Sequence, residues 1–377
     1  MGRLLRDEGG FSVTVAASIL LLVLSLFYVS YQSIEIPAFC KEVEKQSLTV
    51  LEEDVVNLVS NLKKLVGDNT PKTVHLHLGD VYPTVPFFST PNGFSGSVYT
   101  YPARVKINNV KVTSVTSRGQ ANPYNTLEIT GSNIIISPKY NFLNAPDIVI
   151  EYGVVAVGKG SNYMPLYGKL IDNSTIFIPL FNGNLSVGGV ISYELTLYPK
   201  SAGGSGVYIT NESSSNITIE LDSRLPLDFW RKVVPEWVSV TEDNGTVKLS
   251  LPKGRTYRLI MGVASLNEWS GRLPPDYLYR VSPVSQSSPC GLVVQVRDVL
   301  NNPVPLSNVT FSVLSGSVTL KTVDDRGNLV SSSSLTVKSN EMGFASVTAE
   351  SSGLGLVKAN LTDRSALQPY EVVFIVS

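Results

Sequence analysis

Residues 11–34 read FSVTVAASILLLVLSLFYVSYQSI, and this stretch decides how the chain is organised. Its 24 residues include no Lys, Arg, Asp or Glu. A helix rises ~1.5 Å per residue, so the stretch is long enough to cross a hydrocarbon core of ~30 Å. Arg3 and Arg6 precede it, and the positive-inside bias therefore keeps the N-terminus in the cytoplasm. The sequence predicts a single-pass plasma-membrane anchor with residues 35–377 outside.

A second, amphipathic helical segment follows at residues 35–66. Its apolar positions recur at steps of three and four, which is a heptad-type pattern, and they are Leu48, Leu51, Val55, Leu58, Leu62 and Leu65. Pro37 predicts a kink near the membrane exit, and the residues after Val66 (Gly67, Asp68 and Asn69) end the helix. The apolar seam packs either on the protein's own β domain or against the same helix of another subunit.

The composition of the rest of the chain is poor in charge. Charged residues make up 16% of the sequence and the formal net charge is −1. An average soluble protein has ~25% charged residues. No basic or acidic block is present, so the sequence does not favour nucleic acid or anionic lipid as a partner. N-x-Ser/Thr sequons make glycosylation a candidate modification at Asn173, Asn184, Asn211, Asn216, Asn244, Asn308 and Asn360.

The sequence has two cysteines, Cys40 and Cys290. Both are expected outside the membrane, where a disulfide persists. A Cys40–Cys290 disulfide would tie the last domain to the membrane-proximal helix, and two free buried thiols are the open alternative.

Residues 72–280 are expected to form a β-rich head with a sandwich architecture and with the second half of the helix on one face. Short apolar or alternating runs bounded by Gly, Pro or Asn predict strands at 73–78, 103–107, 134–136, 147–151, 174–180, 190–197, 216–221 and 246–251. One short helix is expected at 226–234, where a Pro suits the first turn and Pro235 ends it. The fold class is mainly β with one long N-terminal helix.

A Pro/Ser-rich segment at 281–289 is interpreted as a linker to a last domain at 290–377. Strand patterns at 292–298, 308–313, 343–349 and 370–376, with a turn at 301–305, indicate about seven strands in an Ig-like sandwich.

Candidate catalytic or metal-binding groups are few. His75 and His77 share a strand face, but a third metal ligand is not near them in sequence, so we interpret them as ordinary strand residues. Two acidic pairs, Asp222 with Asp228 and Asp147 with Glu151, could be set up as a glycosidase pair, but placement in turns or at strand edges explains them as well. We therefore predict no catalytic, cofactor-binding or metal site.

Each of two loops could be either an ordinary turn or a ligand-binding loop. Residues 324–328 read DDRGN, which suits a hairpin turn better than a calcium loop. Residues 203–206 read GGSG and are not followed by a helix pattern, so a flexible turn is expected rather than a phosphate-binding loop.

Aromatic residues cluster between 230 and 280, and they are Trp230, Trp237, Trp269, Tyr277 and Tyr279. Such rings form adhesive surfaces because they dominate contact energies. Packing between the head and the last domain is the favoured interpretation, and a surface that binds glycans or proteins is the alternative.

The N-terminus resembles archaeal type IV pilin-like proteins. The resemblance rests on a short charged leader (residues 1–10) ending in Gly9-Gly10, then Phe11-Ser-Val, then a helix that is half apolar and half amphipathic. It implies cleavage between Gly10 and Phe11, the class III type of signal, and association with other pilin-like subunits through the helix. Many members carry Glu at the fifth mature position, where this chain has Val15. An uncleaved signal anchor is the alternative.

The ectodomain over residues 10–240 also resembles the β-rich ectodomains of uncharacterised archaeal pilin-like proteins. The stretches that match are 151–157 (EYGVVAV), 174–180 and 225–230 (LPLDFW). Residues 290–377 resemble the bacterial Ig-like group 1 modules of invasin- and intimin-type proteins, on Asn302-Pro-Val-Pro305, Val309-Thr-Phe-Ser-Val313 and Gly343-Phe-Ala345. That family implies a spacer or binding module without catalysis.

These features predict a non-enzymatic, membrane-anchored cell-surface protein with a structural or adhesive role, possessing no cofactor. The alternative from another class is a surface-tethered carbohydrate-binding protein or hydrolase whose site lies in the 72–280 head.

Overall fold

The computed structural model describes residues 8–109, 111–113, 126–204, 206–210, 216–324, 326–362 and 371–377, without the side chains of 8–12 and 111–113. Helical backbone runs from Glu8 to Asp68 in three pieces: α1 (Glu8–Ser30), a π-helical turn (Tyr31–Glu35) and α2 (Ile36–Asp68). Pro37 lies in the first turn of α2. Since proline has no N–H to donate, a wider turn just before it accommodates the missing backbone hydrogen bond of the helix. The predicted irregularity near Pro37 is therefore a π-helical turn that begins at Tyr31.

The end of α2 follows the predicted stop signal. Asn69 adopts a left-handed conformation with φ of 61° and donates its N–H to the Leu65 carbonyl at 2.9 Å. Asn tolerates this conformation better than most residues, so it ends the helix cleanly.

Residues 72–266 form the head, and its strands are β1 (Lys72–His77), β2 (Ser95–Asn108), β3 (Lys111–Thr113), β4 (Thr126–Lys139), β5 (Asp147–Glu151), β6 (Val154–Lys159), β7 (Asn162–Tyr167), β8 (Ile171–Asp172), β9 (Thr175–Asn182), β10 (Ser186–Val190), β11 (Ser192–Ser201), β12 (Val207–Thr210), β13 (Ile217–Asp222), β14 (Ser239–Asp243), β15 (Thr246–Leu251) and β16 (Thr256–Leu266). The short helix α3 (Leu227–Val233) lies between β13 and β14, as predicted. These described strands pair into one 16-stranded sheet with the main order β1-β11-β16-β9-β4-β2-β13-β15-β14.

Both faces of the central strands are buried. Ile134 and Ile136 on β4 point into the core that contains α2, whereas Ile135 between them points into the core that contains α3. An uninterrupted apolar run is what a strand covered on both faces requires. The head therefore has two cores, one on each side of its sheet.

Residues 277–376 form a second unit, which we call the C-terminal sandwich. Its strands are β17 (Tyr277–Arg280), β18 (Ser285–Gln286), β19 (Cys290–Arg297), β20 (Asn308–Ser315), β21 (Val318–Val323), β22 (Leu329–Ser332), β23 (Ser334–Lys338), β24 (Phe344–Ser351), β25 (Gly355–Leu361) and β26 (Glu371–Val376). They form two five-stranded sheets, β17-β19-β24-β21-β22 and β18-β26-β25-β20-β23, around one core. The predicted sandwich is thus present.

The predicted boundary at 281–289 is wrong. β17 pairs antiparallel with β19, and β18 pairs parallel with β26, so the Pro/Ser segment passes from one sheet of the sandwich to the other. The C-terminal unit begins at Tyr277 rather than at residue 290, and the head ends before residue 280. A local sequence pattern does not encode these long-range pairings, which explains the error.

Candidate functional site

The long helix has two halves with opposite surroundings. The apolar side chains of α1 from Val13 to Val29 include twelve that are large and exposed, and in the described chain this helix is long and apolar enough to cross a membrane. The seam of α2 is buried instead, at Leu51, Val55, Leu58, Leu62 and Leu65. These residues pack in the head's first core with β1 and β11. Of the two uses predicted for the seam, the structure shows packing on the protein's own head.

A buried carboxylate fastens α2 to the head. Glu44 is fully buried and accepts hydrogen bonds from the backbone N–H groups of Asn141 (2.6 Å), Phe142 (3.0 Å) and Leu143 (2.5 Å). It also accepts a hydrogen bond from the Tyr82 hydroxyl, whose pKa is raised by burial and then by Glu44. We call these residues the helix joint. A buried carboxylate is tolerated because each of its oxygens has donors.

The two cysteines lie in separate cores, and neither forms a disulfide. Cys40 lies one helical turn before Glu44, in a cluster with Tyr82 and Phe94, and Cys290 lies in the core of the C-terminal sandwich. Burial raises the pKa of both thiols, and the Glu44 carboxylate adds to the effect at Cys40. Of the two interpretations left open by the sequence, the structure shows free buried thiols.

Residues 201–204, which follow β11 of the head, contact the C-terminal sandwich. The Gly203 N–H donates to the Val66 carbonyl at 2.8 Å, which joins this turn to the end of α2. A Cβ atom on Gly204 would lie 2.1 Å from Oδ1 of Asn302, so only glycine allows this approach. Gly203 and Gly204, in the turn predicted to be flexible, are packed between the end of α2 and the C-terminal sandwich.

Asp298 lies at the centre of this contact. Its carboxylate accepts hydrogen bonds from the Ser201 hydroxyl (2.6 Å) and from the N–H groups of Leu300 and Asn302 (both 2.9 Å). The Asn302 side-chain amide donates to Ser201 Oγ (2.7 Å) and to the Met261 carbonyl (2.9 Å). We call this group, with Gly203 and Gly204, the sandwich joint. Burial raises the pKa of Asp298 to about 6, despite its donors.

The five aromatic residues, for which packing between the head and the last domain was favoured over an adhesive surface, form neither one exposed surface nor one packed contact between the two units. Trp230 is buried in the second head core, and Tyr277 is buried with its hydroxyl donating to Asn301. Trp237 is half-buried and stacks on Tyr257 with ring centroids 5.9 Å apart. The adhesive interpretation is therefore wrong for Trp230 and Tyr277, because the Trp230 ring lies in a head core and the Tyr277 side chain is buried.

The remaining two aromatic residues are accessible and each contacts an arginine. Trp269 is exposed, with the Arg272 guanidinium 5.3 Å from its ring centroid. Tyr279 is half-buried under Arg297 at 4.2 Å.

The described sequons all have some access to solvent. Asn173, Asn184, Asn216 and Asn244 are exposed, and Asn308 and Asn360 are half-buried. Asn211 lies outside the described residues, as do residues 1–7 of the leader.

The two histidines contact different acids. His77 Nδ1 lies 2.7 Å from Asp54 on α2, whereas His75 Nε2 lies 3.5 Å from Glu194. Within the described residues, no group of three or more His, Cys, Asp or Glu side chains is placed to hold a metal ion. Each imidazole thus contacts a single carboxylate, and the interpretation of the two histidines as ordinary strand residues stays a prediction.

The acidic pairs considered for catalysis have structural partners. Glu151 is buried in the head and accepts hydrogen bonds from Tyr101 (2.5 Å), Ser223 (2.5 Å) and the Arg224 N–H (2.9 Å). Burial raises the pKa of Glu151. Asp147 is at the other end of the same strand, β5.

Asp222 and Asp228 each face an arginine. Asp222 accepts from Arg104 Nε at 3.3 Å, and Asp228 accepts from Arg231 at 3.1 Å. Asp324 caps a hairpin turn between β21 and β22, accepting from the N–H groups of Arg326 (2.9 Å) and Asn328 (2.7 Å). The predicted hairpin interpretation of that loop is confirmed.

One open cleft of about 560 Å³ lies where α2 meets β7 and β9. The Lys63 amine sits 5.1 Å from the Tyr167 ring centroid and 5.8 Å from that of Phe177. Burial lowers the pKa of Lys63, and Asp172 opposes the shift. Asp172 is the one carboxylate among the described residues that line the cleft.

Sequence reasoning missed the buried carboxylates of the two joints, Glu44 and Asp298. Glu44 had a detectable signal, because it falls four residues before Leu48 and so lies in line with the apolar seam. Asp298 had a weaker one: it opens the Asn-Pro turn, where an acid often accepts backbone N–H groups.

No family model matches the chain. An uncharacterised protein of Archaeoglobus fulgidus is 25% identical over 340 residues, which cover 85% of this chain and 55% of that protein. The chain thus spans about half the length of this relative. Among solved structures, the D00-D0 domain of intimin aligns with 44% of this chain and 93% of its own, at 15% identity and a TM-score of 0.24. The structure establishes a mainly β protein with one long N-terminal helix.

Proposed function

We propose that this chain is a non-enzymatic, membrane-anchored cell-surface protein with a structural or adhesive role. One observation carries the proposal: a single helix has an exposed apolar half, α1, and continues into a half, α2, whose apolar seam is buried in the head. The exposed half needs an apolar solvent, which a bilayer supplies. Because α2 packs in the head core and is continuous with α1, the membrane anchor is joined to the head through this helix.

The two joints support a mechanical role. The helix joint and the sandwich joint are both closed by buried hydrogen-bonded carboxylates, Glu44 and Asp298. A network in which every member has a partner fixes one arrangement of the elements that it connects. Such a chain holds its C-terminal sandwich at a set position relative to the membrane, as a projecting spacer or binding module does.

The finer proposal is a pilin-like protein, processed between Gly10 and Phe11, with its N-terminus in the cytoplasm before cleavage. The leader motif and the two-part helix support it. Assembly with other pilin-like subunits would use the exposed face of α1, since the seam of α2 is already occupied. Glycans on the accessible sequons would supply the polarity that a surface with few charges lacks.

The test is the N-terminal residue of the native protein, measured by terminal peptide mapping in membrane and sheared-surface fractions. A chain that starts at Phe11 supports processing, and its recovery in the sheared fraction supports a filament. A chain that starts at Met1 or Gly2 and is found only in membranes contradicts processing but leaves the anchor. A chain found in neither fraction contradicts the whole proposal.

A carbohydrate-binding or hydrolytic head is the second candidate, and the cleft beside Lys63 is the observation that favours binding. Its two rings and its mixture of Lys and Asp resemble the lining of small-ligand sites. A panel of neutral oligosaccharides should then bind the full chain in detergent and fail to bind Tyr167→Ala. The exposed Tyr208 offers a control, since Tyr208→Ala leaves the cleft unchanged.

A further inference from the structure

A loop of the head lies against the helix at the point where its apolar run has reached the thickness of a bilayer. Asp80 and Phe94 close the loop with two backbone hydrogen bonds, of 3.2 and 2.9 Å. The segment between them, residues 81–93, we call the aromatic loop. It contains no Lys, Arg, Asp or Glu, and the next charged residue after it is Arg104.

The aromatic loop is attached to the helix by ring stacking and by hydrogen bonds. The Phe88 ring stacks on Tyr28, with centroids 5.2 Å apart, and contacts the Tyr31 ring at a tilt, with centroids 4.4 Å apart. The Gln32 side chain donates to the Ser89 carbonyl at 2.7 Å and accepts from the Ser89 N–H at 3.3 Å. The position of the loop along the helix is therefore fixed between residues 28 and 32.

That position matches one surface of a bilayer. About 20 residues of helix cover a hydrocarbon core of ~30 Å, so a span that begins near Phe11 leaves it near Ser30. Glu35 is the first charged residue after the span. Aromatic rings concentrate at this depth, where one side of the ring meets lipid and the other meets water. Tyr28, Tyr31 and Phe88 already form such a group.

The tip of the loop presents an apolar side chain away from the protein. Phe88 donates its N–H to the Val85 carbonyl at 3.1 Å, with Pro86 and Phe87 at the two central positions of the turn. Phe87 has a φ of 69°, as the third residue of a type II turn does, although glycine is usual there. The Phe87 side chain is 93% exposed, the highest value among the exposed large hydrophobic residues of the described chain.

We propose that the aromatic loop inserts into the outer lipid–water interface, with Phe87 in lipid, and so docks the head on the membrane that its own helix spans. This inference rests on the proposed membrane anchor. A strained, exposed phenylalanine in an uncharged loop is costly in water and is stabilised at an interface. The occupant of this surface is the bilayer itself, not a second protein.

Tryptophan fluorescence of the full chain in phosphatidylcholine nanodiscs tests the inference. Three single variants are compared, with the parent spectrum subtracted: Phe87→Trp in the loop, Phe27→Trp in α1 and Leu306→Trp in the C-terminal sandwich. Leu306 is a matched control because it is also exposed (76%) and also has a positive φ, of 57°. Phe27, 70% exposed, reports the anchor.

We expect lipids brominated near the carboxyl end of the acyl chain to quench the fluorescence of Phe87→Trp strongly and to leave that of Leu306→Trp unquenched. Of these two variants, only Phe87→Trp should have a blue-shifted emission spectrum. Quenching of Phe27→Trp together with an unquenched Phe87→Trp would overturn the docking inference and leave the anchor intact. If neither is quenched, both the anchor and the docking are wrong. A blue shift of Phe87→Trp that depends on protein concentration and not on brominated lipid would also overturn the inference, because a second protein copy would then cover the loop.

Discussion

The helix joint and the sandwich joint each contain a buried carboxylate, but the two carboxylates receive their donors from different places. Glu44 on α2 takes three backbone N–H groups from the head, at Asn141, Phe142 and Leu143. Asp298 takes two backbone N–H groups from its own turn and one hydroxyl from the head. Glu44 therefore ties two elements together directly, whereas Asp298 mainly shapes the turn that presents Asn302 to the head.

The comparison also concerns charge. Asp298 has a pKa raised to about 6, mainly by desolvation, and the Asp276 carboxylate adds to the effect. The charged form of the buried Asp298 carboxylate is unfavourable in the folded protein. Protonation of Asp298 therefore stabilises the sandwich joint. Four substitutions or conditions separate the two designs.

The largest effect is expected for Glu44→Ala. The change leaves three backbone N–H groups and the buried Tyr82 hydroxyl without their acceptor, and polar groups stranded in this way cost about 4 kcal/mol in total. Hydrogen exchange of the detergent-solubilised protein should show that the backbone amides of residues 141–143 lose protection by a corresponding free energy. Glu42→Ala is the control, because Glu42 is exposed and its contact with Lys45 is long (3.9 Å), so protection should not change.

The second effect is a dependence of stability on pH that belongs to Asp298. Its pKa is 3.8 in the unfolded reference and about 6 when folded, so the folded chain holds more protons between these values. The contribution of Asp298 to the free energy of unfolding is therefore greatest below about pH 4. It falls by up to about 3 kcal/mol as the pH rises to about 6.

Urea unfolding followed by circular dichroism across this pH range measures that fall. Asp298→Asn should flatten the profile, because the amide does not titrate there. A profile that stays unchanged in Asp298→Asn would show that the fall in stability does not come from Asp298.

The third effect, about 2 kcal/mol, is expected for Gly204→Ala. The new Cβ would meet Asn302 Oδ1 at 2.1 Å, and Asn302 is held by Ser201 and Met261, so it gives way only by breaking those bonds. Limited proteolysis between the head and the sandwich should become faster. Gly291→Ala provides the control, because a Cβ there has nothing within 4 Å; equal rates for the two variants would show that the joint tolerates the clash.

The smallest effect, about 1 kcal/mol, is expected for Asp54→Ala. Asp54 accepts the His77 backbone N–H at 2.9 Å and lies 2.7 Å from Nδ1 of the His77 ring, where α2 meets the end of β1. Thermal unfolding of the solubilised chain should show a small downward shift. Glu53→Ala is the matched control, because the neighbouring Glu53 is exposed. A shift in Tm for Asp54→Ala as large as that for Glu44→Ala would show that the partly exposed Asp54 contact stabilises the protein as much as the buried Glu44 contact.

Sequence periodicity predicted the parts of the fold that are set locally. The step of three and four from Leu51 to Leu65 identified the buried face of α2, and the alternation in β15 identified a strand with its observed bounds. Pro226 and Pro235 bracketed α3 correctly within a residue or two. These features follow from spacing along the chain, which the sequence displays.

The features that sequence reasoning missed depend on residues far apart. Nothing near Ser285 indicates that β18 pairs with β26, some ninety residues later, so the segment was interpreted as a linker. Glu44 read as a polar position of an amphipathic helix because its donors lie about a hundred residues away. Phe87 was missed for a different reason: its positive φ occurs where glycine is the usual residue.

The end of α2 also defines a path for force. Val66 accepts the Gly203 N–H, and the Asn69 side chain accepts a hydrogen bond from Arg272, so the last turn of α2 and the residue that caps it contact the turn and segment that lead to the C-terminal sandwich. A pull on that sandwich, by an attached ligand or by flow, reaches the helix through this corner without first stretching the head's sheet. The tension then runs along the helix axis toward its apolar half, so the head would stay folded while the tether is strained.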